Sequence, residues 1–377
     1  MLKNKNKGIT LIALVITIII LLILAGISIS ALTNQGLFKN AKIAQNAIEK
    51  SEAEQGQRLN EYEDEINKYL ENNKEPFKGT TVEDAIKYDD VLNTEDNTEL
   101  KDVKNNKIVV PAGFKIVDEA TTVDKGIVIE DVTESGTKGS QFVWIPVGKI
   151  TKTDGATTTI TLGRYEFDET TGKESAYSGN FVEEDANDTS KIQNKGNTIA
   201  KNITNFKNSV ATNGGYYIGR YEARTESERS PKTDSLTQIT EKITENVYNY
   251  VTQSQAAQLS QNMYNSAKFT SDLMNSYAWD TAIVFIQNCG TNTKYSRQNS
   301  VNTLLSQTGT TEDIQCNIYD MASNIQEWTT ETSDNSNYPC IDRGGGYNSS
   351  SIYTSHYDEN NTSYSRFGVG FRPILYL

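Results

Sequence analysis

One histidine and three cysteines are the whole supply of imidazole and thiol in a chain of 377 residues. With His356 as the single imidazole, a Ser/His/Asp or Cys/His catalytic set would have to be built around that one residue, which counts against such chemistry. Cys289, Cys316 and Cys340 fit no metal-ligand spacing, and an odd count leaves at least one thiol unpaired. Two readings of them stay open: buried apolar thiols, or one disulfide plus a free thiol if the domain lies outside the cell. Clusters of Lys and Arg are also missing. A net charge of -13 and an isoelectric point near 4.8 therefore argue against a nucleic-acid partner, which requires concentrated basic side chains. There is no internal repeat, so solenoid and propeller architectures drop out.

Charge itself is absent from Gly8 to Phe38. Within that stretch Ile9–Leu32 is a run of 24 residues dominated by Ile, Leu, Val and Ala, about 36 Å long as a helix and so long enough to span a bilayer. Lys3, Lys5 and Lys7 precede it and would hold the short leader in the cytoplasm, sending the rest of the chain outward. The run exceeds the apolar core of a secretory signal, about 7–15 residues, which favours a retained membrane helix.

The stretch "KGITLIALVITIII", Lys7 to Ile20, resembles the type IV prepilin signature. That resemblance implies cleavage by a prepilin peptidase after Gly8, leaving Ile9 as the new N-terminus. The family's Glu at the fifth mature position is Ala13 here, which counts against assembly as a major filament subunit. After "TNQG" the pattern turns amphipathic, with Ile48, Leu59, Tyr62, Ile66 and Leu70 toward one side among Glu, Lys and Gln. The expected order is a leader at 1–8, a transmembrane helix at 9–32, an amphipathic stalk at 33–72, a polar linker at 73–106 with a short helix at "TVEDAIKY", and an outer domain at 107–377.

The outer domain opens on short β runs, "KIVVPAGFKIV", "GIVIEDV" and "SQFVWIPVGKI", followed by "GGYYIGRYEA". Thr151 to Ser209 reads as loops with a β-hairpin. Helical spacing returns at Thr252–Tyr264, with Thr252 as N-cap, and at Ser271–Asn288. Strands, then helices, then a strand-and-loop C-terminus make an α+β domain.

Five pieces, "FVWIPV" (Phe142–Val147), "GGYYIGRYEA" (Gly214–Ala223), "NIYDMASNIQEWTTE" (Asn317–Glu331), "RGGGY" (Arg343–Tyr347) and "FGVGFRPIL" (Phe367–Leu375), together resemble the formylglycine-generating enzyme (sulfatase-modifying factor) superfamily. The resemblance implies a C-type-lectin-like fold over Lys107–Leu377. In the motifs Ile318, Met321, Ile325 and Trp328 suit packing, and Arg372 reads as a core-edge arginine paired with an acidic residue. The family's copper-binding cysteines, placed shortly after Arg-Gly-Gly, have no counterpart in Asn348–Tyr357, and Cys340 lies on the wrong side of Arg343. A hydroxyl such as Ser349 or Thr354 does not replace a thiolate as a soft ligand. No catalytic residue or cofactor is therefore assigned. Relatives bind structural calcium around Asn-x-x-Glu-Trp, which makes Asn324 and Glu327 weak metal candidates beside the alternative of a hydrogen-bonded turn.

Between the last two motifs, Tyr347 to Ser365 holds four Tyr, six Ser, three Asn and two Thr in 19 residues. Tyr offers broad contact area at small entropic cost, and Ser and Asn offer adaptable hydrogen bonds, as in antibody loops. The set is also similar to that produced by adenine-directed mutation of Asn codons in the variable proteins of diversity-generating retroelements. The expected contact residues are Tyr347, Asn348, Ser350, Tyr353, Ser355, His356, Tyr357, Asn360, Asn361 and Tyr364. The expectation is a membrane-anchored bacterial surface protein that recognises an external protein or glycan; the alternatives are a minor pilin component and a metal-dependent oxidase.

Overall fold

The structure is a computed structural model that describes residues 11–34, 37–72, 77–88, 90–133, 136–183, 200–225, 239–347, 349 and 351–377. Gly8, Ile9, Asn348 and Ser350 lie outside the described residues. The chain divides into two compact units, Met1–Glu75 and Pro76–Leu377.

The first unit is two helices, α1 (Leu11–Asn34) and α2 (Leu37–Asn72), which meet at the expected break. On α1, the described apolar side chains from Leu14 to Ile29 stand about half exposed or more, with Val15 the lowest at 46% and Leu22 the highest at 66%. Among the described residues no helix is long and apolar enough to cross a membrane. On α2 the apolar Ile48, Leu59 and Tyr62 are exposed.

The second unit starts earlier than expected. The segment read as a linker to residue 106 supplies Val82, Ala85, Leu92 and Leu100 to the core, and Thr98–Lys101 pairs antiparallel with Lys107–Val110. Asp102 ties it down, accepting from the backbone N–H groups of Asn106 and Val123, each at 2.8 Å. Polar composition disguised a segment in which every few residues one apolar side chain turns inward. The short helix there, α3 (Val82–Ile86), has Thr81 as N-cap.

A six-stranded antiparallel sheet carries the core. Its strands are β1 (Phe114–Ile116), β2 (Val128–Asp131), β3 (Gln141–Pro146), β4 (Gly215–Gly219), β5 (Thr270–Leu273) and β10 (Pro373–Tyr376), in the order β5-β10-β4-β3-β2-β1. The C-terminal strand thus lies inside the sheet, with Leu375 opposite Tyr217 on one side and Ser271 on the other. β3 and β4 are buried on both faces, which is why they read as continuous apolar runs.

A second sheet of four strands uses β6 (Gln326–Thr332), β7 (Cys340–Arg343), β8 (Tyr357–Asn360) and β9 (Val369–Phe371), in the order β8-β7-β6-β9, with β9 parallel to β6. Among the described residues, three longer helices complete the unit: α4 (Ile203–Asn213), α5 (Gln253–Gln261) and α6 (Ser276–Cys289). Thr252 caps α5 as expected and forms a capping box with Gln255. α6 begins later than its periodicity suggested, because Ser271–Leu273 belong to β5 and Asn275 supplies the N-cap. The Thr- and Asn-rich region expected as loops with a hairpin contains two hairpins, Gly148–Thr151 with Thr157–Ile160 and Tyr165–Phe167 with Glu174–Ala176, and its last stretch enters α4. The unit is α+β.

Candidate functional site

The polar segment leaves the sheet at "RGGGY", where the chain crosses close over the turn before β6. A Cβ on Gly345 would sit 1.9 Å from the Ala322 carbonyl oxygen, and Gly344 takes a left-handed φ of 87°. Glycine is required at both for these reasons. The N–H of Tyr347 then donates to the Asn324 carbonyl at 2.8 Å, and its ring lies 6.2 Å from that of Phe367.

The middle of the segment rests on a loop that the sequence did not connect with it. Thr354, fully buried, donates its N–H to the Gln298 carbonyl at 3.1 Å, and its own carbonyl accepts the indole N–H of Trp279 at 3.1 Å. The N–H of Ser355 donates to the Ser296 carbonyl at 3.1 Å. The Arg297 guanidinium lies 3.6 Å over the half-buried ring of Tyr353. Ser296, Arg297 and Gln298 are thus supporting residues that no spacing pattern signals.

His356 is half-buried and stacks its ring on Tyr357 at 6.3 Å. Burial lowers its pKa from the usual value, with Asp358 opposing and Arg343 reinforcing, so the imidazole is neutral at pH 7. Tyr357 is 45% exposed; its ring meets Phe181 edge-on at 4.8 Å, and the Arg343 guanidinium lies 5.5 Å from the ring centre. Arg343 is itself buried in an ionic group, with Nη2 2.7 Å from Glu331 and Nη1 3.3 Å from Asp280, while Arg164 pairs with the other Glu331 oxygen.

Of the described contact candidates, Tyr347, Tyr353, Ser355, His356, Tyr357 and Asn361 are half-buried or exposed and belong to one continuous segment. Asn360 is different. It is 7% exposed, ends β8 opposite Cys340, and donates from Nδ2 to Asp342 at 2.9 Å, so it holds the strand instead of facing solvent. The ring of Tyr364 is half-buried edge-on against Trp328 at 6.0 Å, which makes it an anchor of the segment.

The two metal candidates, Glu327 and Asn324, both have protein partners. Both oxygens of Glu327 accept from Arg372, at 2.6 and 3.1 Å, with both residues fully buried. This is the acidic partner expected for Arg372, whose guanidinium also donates to the carbonyls of Gly219 and Tyr319. Asn324 takes a left-handed φ of 62°, accepts the Ser306 N–H at 2.9 Å and donates to Glu222 at 2.7 Å. Asn324 thus sits in a hydrogen-bonded turn. Cys340 lies in β7 and is 1% exposed.

Chemically, the segment offers phenol rings, hydroxyls, amides and a neutral imidazole on a backbone fixed from beneath. Such a surface stacks and hydrogen-bonds. No protein-family model matches the chain, and no curated protein matches it. Among solved structures, CarF is 12% identical over 43% of this chain and 87% of its own, with a TM-score of 0.30. Treponema denticola variable protein 1 is 11% identical over 64% of this chain and 98% of its own, with a TM-score of 0.35. Superpositions this partial establish neither a shared fold nor a shared function.

Proposed function

We propose that this chain is a membrane-anchored surface protein whose C-terminal unit, C-type-lectin-like in fold, binds an external protein or glycan through the face built from Tyr347 to Tyr364. The observation that carries the reading is the division of labour within the segment. Its backbone is fixed by buried partners, as at Thr354, Ser355 and Tyr347, whereas Tyr353, His356, Tyr357 and Asn361 retain exposed polar or aromatic surface. A rigid main chain under changeable side chains is the condition for recognition at small entropic cost. It is also a surface that tolerates diversification at its outward positions.

The anchor in this proposal is the apolar run at 9–32, with the leader on the cytoplasmic side and Gly8–Ile9 as the bond cut by a prepilin peptidase. What supports it is the row of exposed Ile and Leu side chains from Leu14 to Ile29, which water does not favour. The decisive experiment displays the full chain on cells and measures adhesion together with capture on immobilised glycans and extracellular proteins. The Tyr353→Ala/Tyr357→Ala double variant should lose at least about tenfold in affinity, the size typical of losing central aromatic contacts. Unchanged adhesion and capture at equal surface expression would overturn the assignment of this face.

A further inference from the structure

Cys289 and Cys316 are 27 positions apart in sequence yet line the same cavity of about 590 Å³, together with Thr291, Gln315 and Asn317. Cys289 ends α6, and the next residue, Gly290, is so near Cys316 that a Cβ on it would lie 3.4 Å from the Cys316 sulfur. The two chain segments are tied beside the sulfurs. Gln315 Oε1 accepts the Thr291 N–H at 2.9 Å and its hydroxyl at 3.0 Å. Left-handed turns at Cys316 and Asn317, with φ of 49° and 62°, fix the return of the chain. Cys340 takes no part, being buried in β7 among core side chains.

We propose that Cys289 and Cys316 are a redox pair that closes to a disulfide on exposure to a small-molecule disulfide, stapling the loop that supports the binding face. Cys316, the more exposed of the two, attacks the oxidant R–S–S–R, forming a mixed disulfide and releasing one R–S⁻. Cys289 then attacks the Cys316 sulfur and releases the second. One protein S–S bond forms, the oxidant is reduced to two R–SH, and the two thiol protons pass to them. Burial raises both thiols, Cys289 to about 12, so the exchange is slow at neutral pH and faster in base.

The consequence lies in what the bridge encloses. Residues 290–315 include Ser296 and Gln298, whose carbonyls hold Ser355 and Thr354, and Arg297, which lies over Tyr353. Closing that loop removes freedom from the floor of the polar segment. The ligand proposal does not enter the test.

The full chain in detergent is equilibrated with oxidised glutathione at mildly basic pH, denatured and alkylated. One reactive thiol should remain of three, with Cys289 linked to Cys316 in peptides mapped without reduction, and a Cys340→Ser chain should retain none. Trypsin cleavage of the folded chain at Lys294 and Arg297 should slow several-fold on oxidation, with no redox difference in Cys289→Ser. Three reactive thiols after equilibration, a bridge that includes Cys340, or glutathione left on Cys316 would overturn the pair. Cleavage unchanged by a mapped Cys289–Cys316 bond would overturn the stapling role.

Discussion

Two stretches of the outer unit look alike in composition and behave oppositely. Asn317–Ser333 and Tyr347–Ser365 are both dominated by Asn, Ser, Thr and acidic residues, yet in the first nearly every side chain from Ile318 to Ser333 is buried, and in the second most are half-buried or exposed. The difference is in partners. In the first stretch Asp320, Asn324, Glu327 and Glu331 each accept from a fixed donor on another part of the chain. In the second, the backbone finds such partners and many of the side chains do not. Polarity therefore says little about burial when a fold has enough donors and acceptors to satisfy polar groups inside.

The widest separation of the two stretches comes from the buried ion pair. Arg372→Ala leaves Glu327 without its two charge-assisted bonds and is expected to destabilise by about 3–5 kcal/mol, measured by chemical denaturation. Near-native stability of that variant would mean that the first stretch is not organised by this pair. Gly345→Ala forces a methyl against the Ala322 carbonyl and should cost about 3 kcal/mol, the upper end for overpacking. Its effect tests whether the segment must cross the turn this closely.

A contrast inside the second stretch is sharper still. Asn360→Ala removes a buried bond to Asp342 and should cost about 1–3 kcal/mol, whereas Asn361→Ala, at an exposed local turn with Ser363, should stay within about 0.5 kcal/mol. Equal losses in denaturation would erase the distinction between anchor and surface.

Acidity offers a further test. Burial raises Asp272, Asp280 and Asp320 to about 6 each. Folded-state values above the unfolded ones mean that their stabilisation is complete below about pH 4 and is lost as pH rises through about 6. His356, lowered by burial, works the other way, contributing above about pH 6.5 and losing that on acidification. Three buried carboxylates outweigh one half-buried imidazole, so Tm should be a few degrees higher at pH 5 than at pH 7.5. A Tm that rises from pH 5 to 7.5 would contradict the buried acids. A small stability effect is expected for Tyr353→Ala/Tyr357→Ala, about 1 kcal/mol or less, since both rings are partly exposed; that variant should act on ligand capture instead.

Much of the scaffold was legible. Two N-terminal helices with a break between them, β3 and β4 as apolar runs, the α5 cap at Thr252 and an acidic partner for Arg372 all follow from local pattern or local chemistry, which need only neighbouring residues. The helix start at Ser276 and the helix α4 were not, because a short strand and an N-cap at Asn275 compete with helical spacing in one case and Asn- and Thr-rich composition hides it in the other. Residues 77–106 joined the core through four well-spaced apolar side chains, too few to stand out from a polar background. Within the site, the exposed positions were legible as a composition and the supports were not. Ser296, Arg297 and Gln298 lie more than 50 positions from the residues they hold, and long-range hydrogen bonds leave no periodicity.

By itself the sequence determined the mixed α+β character, the apolar N-terminal helix, the absence of a usable cysteine after Arg-Gly-Gly and the unusual Tyr, Ser and Asn content near the C-terminus. These depend on residue identity and local periodicity, which a linear chain states directly. Only the tertiary structure decided that Asn360 faces inward and Tyr364 packs on Trp328, that Asn324 sits in a hydrogen-bonded turn and Glu327 pairs with Arg372, and that Cys289 and Cys316 share one cavity. Each of those depends on which distant backbone arrives beside the side chain, and that is settled by the packing of the whole unit.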